Sequence, residues 1–445
     1  MSIHPIEERY GSSEMREIFK EESKLMRLLK VEVALAKAHA DLDNIPREAA
    51  EIIENSYQKV KIERVKEIDK IIQHDLMAVV KALAEVCGDY GEYVHLGATS
   101  SDILDTALAL QFRDALKIVE KDLKEIRKLL TKLAEEHRET VLVGRTHGQH
   151  AIPTTLGLKF AIWAMEFDRH LERLEESRKR ILVGKMSGAV GTQAGLGEKA
   201  IEVQKLTMEY LGLKPAMVSN QVIQRDRHAE LIMLLSLIAS TLEKIGKEIR
   251  NLQRTEIREL EEPFLEEQVG SSTMPHKRNP YRSERVCGLA RILRSNVLPA
   301  LENIALEHER DLTNSSCERV IIPETFLLLD EMLKTMRYVL ENLITYPENM
   351  KKNLLLSKDL IMSERIMLFL AKKGLGRQKA HEIVRVSSMT AFTKKMDLKE
   401  VLLENEEVKA IVTEKELEEI LDPFNYIGTA REQVDMVVNY LKSRQ

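Results

Sequence analysis

The sequence predicts an all-α protein built on a bundle of long helices. Three observations predict it. Residues 106–140 hold neither glycine nor proline. Within them Leu108, Phe112, Ala115, Val119, Leu123, Ile126, Leu130 and Leu133 recur at spacings of three and four, the seam of one long packed helix. Leu231, Leu235, Ile238, Leu242, Ile245, Ile249 and Leu252 repeat in heptad spacing within a second such stretch, 226–260. Strand signals are poor throughout.

In chain order, residues 1–97 read as short helices. Met15 opens an amphipathic one, and Pro46 starts another. The 106–140 helix would span roughly 50 Å at 1.5 Å per residue. Further long helices are expected at 155–183 and 226–260. A fourth follows the segment 270–280, bent or interrupted by Pro299. A fifth is expected at 324–344. Pro347 marks a break before a smaller helical part with weaker periodicity. The expected domains are 1–97, 98–347 and 348–445. Helices this long must lie side by side, and their additional apolar stripes predict packing between chains.

Composition narrows the function classes. The 445 residues are long enough for two or three domains and a large core. A net charge of −5 with interspersed signs argues against a dedicated nucleic-acid binder. Charged residues make up 31% and aromatics 4%, which fits helical surfaces laced with Glu–Lys pairs. Cys87, Cys287 and Cys317 show no metal spacing and read as reduced thiols of a cytoplasmic protein. No signal-like or membrane-length apolar run is seen.

One segment breaks the helical pattern: Gly270-Ser271-Ser272-Thr273-Met274-Pro275-His276-Lys277-Arg278-Asn279-Pro280. Glycine and two prolines exclude a helix and leave backbone N–H groups available. Hydroxyls, an ammonium and a carboxamide on one loop suit a lid over an anionic substrate. A plain linker would have no use for Lys277 and Asn279 between fixed prolines. Gly144-Arg145-Thr146-His147-Gly148-Gln149-His150-Ala151-Ile152-Pro153 is a second irregular, donor-rich segment, and His147 can carry a proton near neutral pH. His147 and His150 also fit half of a metal site, or a helix cap, but no third ligand accompanies them. Residues 184–197 are glycine-rich without a dinucleotide or P-loop pattern, and read as a tight inter-helix connection. Arg310, Ser315, Ser316 and Arg319 suit a phosphate clamp. The same composition fits a surface ion-pair network with Glu309 and Glu318.

These strings resemble the motifs of the fumarase/aspartase superfamily, whose members eliminate fumarate from a succinyl group. The His276-Lys277-Arg278-Asn279-Pro280 ending and the His147 segment resemble its adenylosuccinate lyase branch. Thr99-Ser100-Ser101-Asp102 and the Arg310–Arg319 region complete four motifs in the family's order. The resemblance covers nearly the whole chain. It implies the three-domain fold of that superfamily, with a tetramer core of many helices and active sites shared between chains. It implies release of fumarate from adenylosuccinate, leaving AMP, and from the succinylated imidazole-carboxamide ribotide of purine synthesis. Ser271 would be the general base and His147 the general acid. Ser272, Lys277 and Asn279, with Thr99 and Ser100, would hold the succinyl carboxylates, and Glu284 would partner His147. Gln221, Arg310, Ser315 and Arg319 would hold the nucleotide and its phosphate, helped by Arg9, Tyr10, His74 and Asp75. His95 would be another active-site histidine. The implied partners are nucleotide-sized substrates and further copies of the chain, not nucleic acid or membrane, and no metal or other cofactor is implied. The residues alone would nominate a histidine as base; only the resemblance points to Ser271. A sister lyase acting on argininosuccinate, aspartate or malate would need no phosphate clamp. A non-catalytic helical scaffold would need neither His147 nor Ser271.

Overall fold

The computed structural model of the chain describes residues 4–265, 268, 273, 274 and 276–444. The fold is all-α, and its residues group into two compact units. The first comprises Met1–Leu123, Arg169–Glu243 and Arg285–Thr335; the second comprises Lys124–Asp168, Lys244–Glu284 and Met336–Gln445.

In the first unit a short helix, Ser13–Phe19, ends at Lys20 and so breaks the single helix expected from Met15; α1 (Glu21–Asp41) follows, its first turn carrying Glu21 and Glu22, charges that suit a helix N-terminus. Helix α2 (Asp75–Cys87) is capped by His74, whose ring accepts a hydrogen bond from the Met77 N–H at 3.2 Å. Leu28, Leu29, Leu35, Leu76, Leu83 and Leu110 share one core.

The long helix α3 spans Ser100–Glu136. Phe112, Ala115, Val119, Leu123, Ile126 and Leu130 of its seam are buried; Leu108 and Leu133 are half-buried. Strands β1 (Val141–Thr146) and β2 (Gln149–Thr155) follow, paired antiparallel. This hairpin departs from the sequence reading, which took the His147 segment as irregular. His147 and Gly148 have φ of 52° and 75°. Two successive left-handed residues form the tight turn that matches strand twist, and glycine fills the second position without a Cβ penalty.

Helices α4 (Leu156–Ile181) and α5 (Asp226–Leu252) come next. All of the predicted heptad residues of α5 are buried, although the helix stops short of residue 260. Helix α6 (Tyr281–Ser295) is followed after Asn296 by a short helix containing Pro299, the interruption expected there. Helix α7 runs Thr313–Glu341 with Pro323 inside it, so it begins earlier than predicted. The helix continues through Pro323 although proline removes one helical N–H and crowds the preceding turn.

In the second unit Leu354, Met362, Leu370, Leu398 and Leu417 form a core beneath α8 (Arg377–Lys394). Among the described residues no helix is long and apolar enough to cross a membrane.

Candidate active site

The clearest site in the first unit is a cavity of about 310 Å³ lined by Arg310, Ser315 and Arg319 together with Ser101. Helix α7 places Ser315 and Arg319 one turn apart on one face. Arg310 donates to the Gln221 side-chain oxygen at 2.8 Å, and its buried Nε has no partner among the described residues. Gln221 in turn donates to the Ala189 carbonyl at 2.9 Å. Arg319 pairs with Asp75. Burial alone would raise the Asp75 carboxyl, but the Arg319 hydrogen bond and charge, the Leu76 N–H and Lys24 together outweigh it and hold the pKa below its ordinary value. Thus five predicted residues, Asp75, Gln221, Arg310, Ser315 and Arg319, gather at one place.

Part of the cavity wall is a network that the sequence reading did not identify. Buried Arg225 forms two bonds to Asp105, at 2.8 and 2.9 Å, and two to Glu318, at 3.1 and 3.2 Å. His228 Nδ1 and Asn314 also meet Glu318, at 2.8 and 3.0 Å. Glu318 is therefore no surface partner of Arg310 or Arg319. It faces inward and fixes the helical turn from which Arg319 faces the cavity.

The start of α3 is locked just as firmly. Asp102 accepts hydrogen bonds from the backbone N–H groups of Thr99 (2.9 Å), Ser187 (2.8 Å) and Gly188 (3.1 Å), and it is ion-paired with fully buried Lys185. Residues 184–197 are thus more than a connection: their first part holds the Thr99–Ser100 turn in place. Gly97 makes the approach possible, since a Cβ there would meet the Gly195 carbonyl oxygen at 2.4 Å. Thr99 and Ser100 so sit at a helix N-terminus, where N–H groups favour anions. Nearby, His95 Nδ1 is 2.7 Å from the buried Glu32 carboxylate. Burial presses His95 toward neutrality, but Glu32 outweighs it and holds the pKa above the ordinary histidine value.

The second unit holds a strongly cationic cavity of about 910 Å³. Lys277, Asn279 and Glu284 line it with Arg250, Arg254 and Arg258. The far end of the signature segment is anchored beside it. Arg278 pairs with Glu261 at 3.0 Å. Buried Glu262 accepts from the N–H groups of Arg282 (2.9 Å) and Ser283 (3.0 Å), capping α6. Ser271 and Ser272 lie outside the described residues.

His147 sits exposed at the hairpin tip. Its strand is braced by a two-pronged pair between Arg145 and fully buried Glu259, at 2.7 and 2.9 Å. Next to the tip, His150 Nδ1 meets Ser357 Oγ at 2.7 Å. No hydrogen bond joins His147 to Glu284 among the described residues. Nor does any group of three His, Cys, Asp or Glu side chains form a metal cluster there. Arg9 lies over the Tyr10 ring at 5.8 Å; neither lines the Arg319 cavity. His74 spends its Nδ1 on the α2 cap.

Comparison with known proteins shows the family of the chain. The family model described as "Lyase" matches residues 8–293, and "Adenylosuccinate lyase C-terminus" matches residues 359–437. An adenylosuccinate lyase of Pyrococcus abyssi is 62% identical, covering 100% of this chain and 99% of that relative. Among solved structures, a fumarate lyase from Mesorhizobium sp. BNC1 superposes with a TM-score of 0.90 at 35% identity, covering 96% of this chain and 98% of its own. A 3-carboxy-cis,cis-muconate lactonizing enzyme from Pseudomonas putida gives a TM-score of 0.90 at 35% identity, covering 98% of each chain. The matching models span both ends of the chain, and the relative covers all of it: the chain belongs to the adenylosuccinate lyase family.

Proposed function

We propose that this chain eliminates fumarate from adenylosuccinate, giving AMP, and from the succinylated imidazole-carboxamide ribotide, in cytoplasmic purine nucleotide synthesis. The fold alone does not choose this reaction, because a muconate lactonizing enzyme shares it. The observation that carries the substrate is the cavity uniting Arg310, Ser315 and Arg319, since arginine forks and hydroxyl donors suit a phosphate dianion.

The chemistry needs a base for the weakly acidic proton beside a carboxylate. It needs donors for the doubly negative carboxylate that forms, and an acid for the departing nitrogen. Lys277 and Asn279, in their cationic cavity, serve the developing charge. His147 serves as the acid, with Glu284 as its partner. Ser271 serves as the base. Its hydroxyl must lose its proton far more readily than a free one, helped by Lys277 once water is excluded. Ser272, Thr99 and Ser100 complete the carboxylate donors. Gln221, Arg9, Tyr10, His74 and Asp75 assist the nucleotide, and His95 stays close to the charge-bearing form beside Glu32.

We also propose a homotetramer whose sites combine several chains, with the three-part division at residues 97 and 347. Exposed Met233, Leu237, Leu298 and Val320 on helical segments support burial against other copies. The deciding experiment is fumarate release from adenylosuccinate by the purified chain with no added cofactor. Turnover is expected to survive chelator. Metal dependence, or no release from adenylosuccinate while another succinyl compound reacts, would overturn this function.

A further inference from the structure

Besides Arg225, which is committed to Asp105 and Glu318, the Arg319 cavity is lined by one further cation that neither the motifs nor the family resemblance brings forward. Lys24, in the first turns of α1, lines it together with Arg310, Ser315 and Arg319. The acids around it are already committed. Asp105 and Glu318 serve Arg225, Asp75 serves Arg319, and Glu21 pairs with Lys66. The Lys24 ammonium has no hydrogen bond or ion pair with any described residue, and Arg310 has a buried Nε without a partner. Leu28 and Ile322 furnish apolar wall, while the Arg319 side chain is 52% exposed. Burial and the neighbouring Arg319 charge lower the Lys24 pKa below its ordinary value. The geometry, a lysine without an acid of its own beside Arg319 on one cavity wall, suits an anion.

We propose that Lys24 is a further phosphate-binding residue, donating from Nζ to the phosphate of the nucleotide opposite Arg319. This rests on the reading of the cavity as the phosphate subsite. A dianion between Lys24 and Arg319 gives the Lys24 ammonium a partner, and leaves Asp75 free to turn from Arg319 when the phosphate arrives. No chemical step depends on Lys24. It supplies binding common to substrate and product.

The test compares the full-length enzyme with Lys24→Met, Lys24→Arg and Arg319→Leu. AMP binding is followed by calorimetry, and adenylosuccinate turnover by fumarate release. Lys24→Met should weaken AMP about 10- to 100-fold, the usual worth of a charge-assisted hydrogen bond. KM should rise in parallel while kcat changes by less than about threefold. Lys24→Arg should recover most of the loss. Inhibition by fumarate, which carries no phosphate, should stay unchanged. Unaltered AMP affinity in Lys24→Met, with a loss in Arg319→Leu, overturns the Lys24 assignment alone. Unaltered affinity in both overturns the phosphate reading of the cavity as well. Should Lys24→Met not fold, the unmodified enzyme still decides. AMP, but not fumarate, should shield Lys24 from acetylation by acetic anhydride, and equal labelling with and without AMP rejects the proposal.

Discussion

His147 shows how one residue's backbone and side chain are used together. Its φ of 52° lies in the left-handed region, where a side chain with a Cβ carries strain unless its surroundings fix it. The hairpin supplies that fixing, and the strained turn presents the imidazole at the tip. Replacement by alanine would therefore mix a backbone effect with the chemical one. Asparagine tolerates this conformation better. His147→Asn should keep the hairpin and lower turnover about 10²- to 10⁴-fold, the range for one positioned proton-transfer group. Ser271→Ala should cost a similar factor with the fold retained by circular dichroism. Full turnover in Ser271→Ala would move the base elsewhere. His74 would then be the next candidate, although its Nδ1 lone pair already accepts from the Met77 N–H, so the ring must release that cap bond or switch tautomer before it can take a proton.

At the scale of an element, α7 works with two faces. Arg319 turns to the cavity, while Glu318 turns inward to Arg225, His228 and Asn314. The buried face makes a pH prediction. Burial alone would raise the carboxyls of Asp105 and Glu318. Arg225 for Asp105, and His228 with Arg225 for Glu318, more than offset it, so both folded pKa values lie below the ordinary ones. Depressed carboxyl pKa values contribute stability that is present above the unfolded values of about 4. That contribution is lost as pH falls through the folded ones. The melting temperature should therefore drop on acidification below about pH 4. Glu318→Gln should lower it at neutral pH, by up to about 3–5 kcal/mol of stability, and make the acid limb shallower. Equal acid slopes in both proteins would show that Glu318 is not depressed. This network was hard to read from sequence because Asp105, Arg225, His228 and Glu318 belong to distant stretches with no shared pattern. Periodicity, by contrast, is local, so the seams of α3 and α5 were legible almost residue by residue. The hairpin was missed for a physical reason. Val141-Leu142-Val143 is too short to stand out, and Pro153 argues against a strand, yet it pairs opposite Val143 where the register shifts.

For the whole molecule, the residues assigned to one reaction fall into two groups. Thr99, Ser100, Arg310, Ser315 and Arg319 belong to one compact unit, and His147, Lys277, Asn279 and Glu284 to the other. Ser100 opens a helix of 37 residues, roughly 55 Å long, and the His147 hairpin follows its other end. Antiparallel association of several copies sets one chain's helix end beside another's, which is the basis of the shared-site proposal. Subunit exchange tests it. His147→Asn and Ser271→Ala, each inactive alone, are mixed in equal amounts and allowed to exchange. If the two residues of a site come from different chains, a site is whole only when each of its two contributing chains carries the intact residue. Random symmetric assembly makes that one half times one half, so about a quarter of the wild-type activity should return. If both residues come from one chain, every site in the mixture contains a defect and no activity returns. Exchange is verified independently by mass spectrometry of differently tagged chains. Proven exchange with no recovery rejects shared sites and leaves the elimination reaction untouched. Recovery near a quarter also requires association, because monomers could not complement.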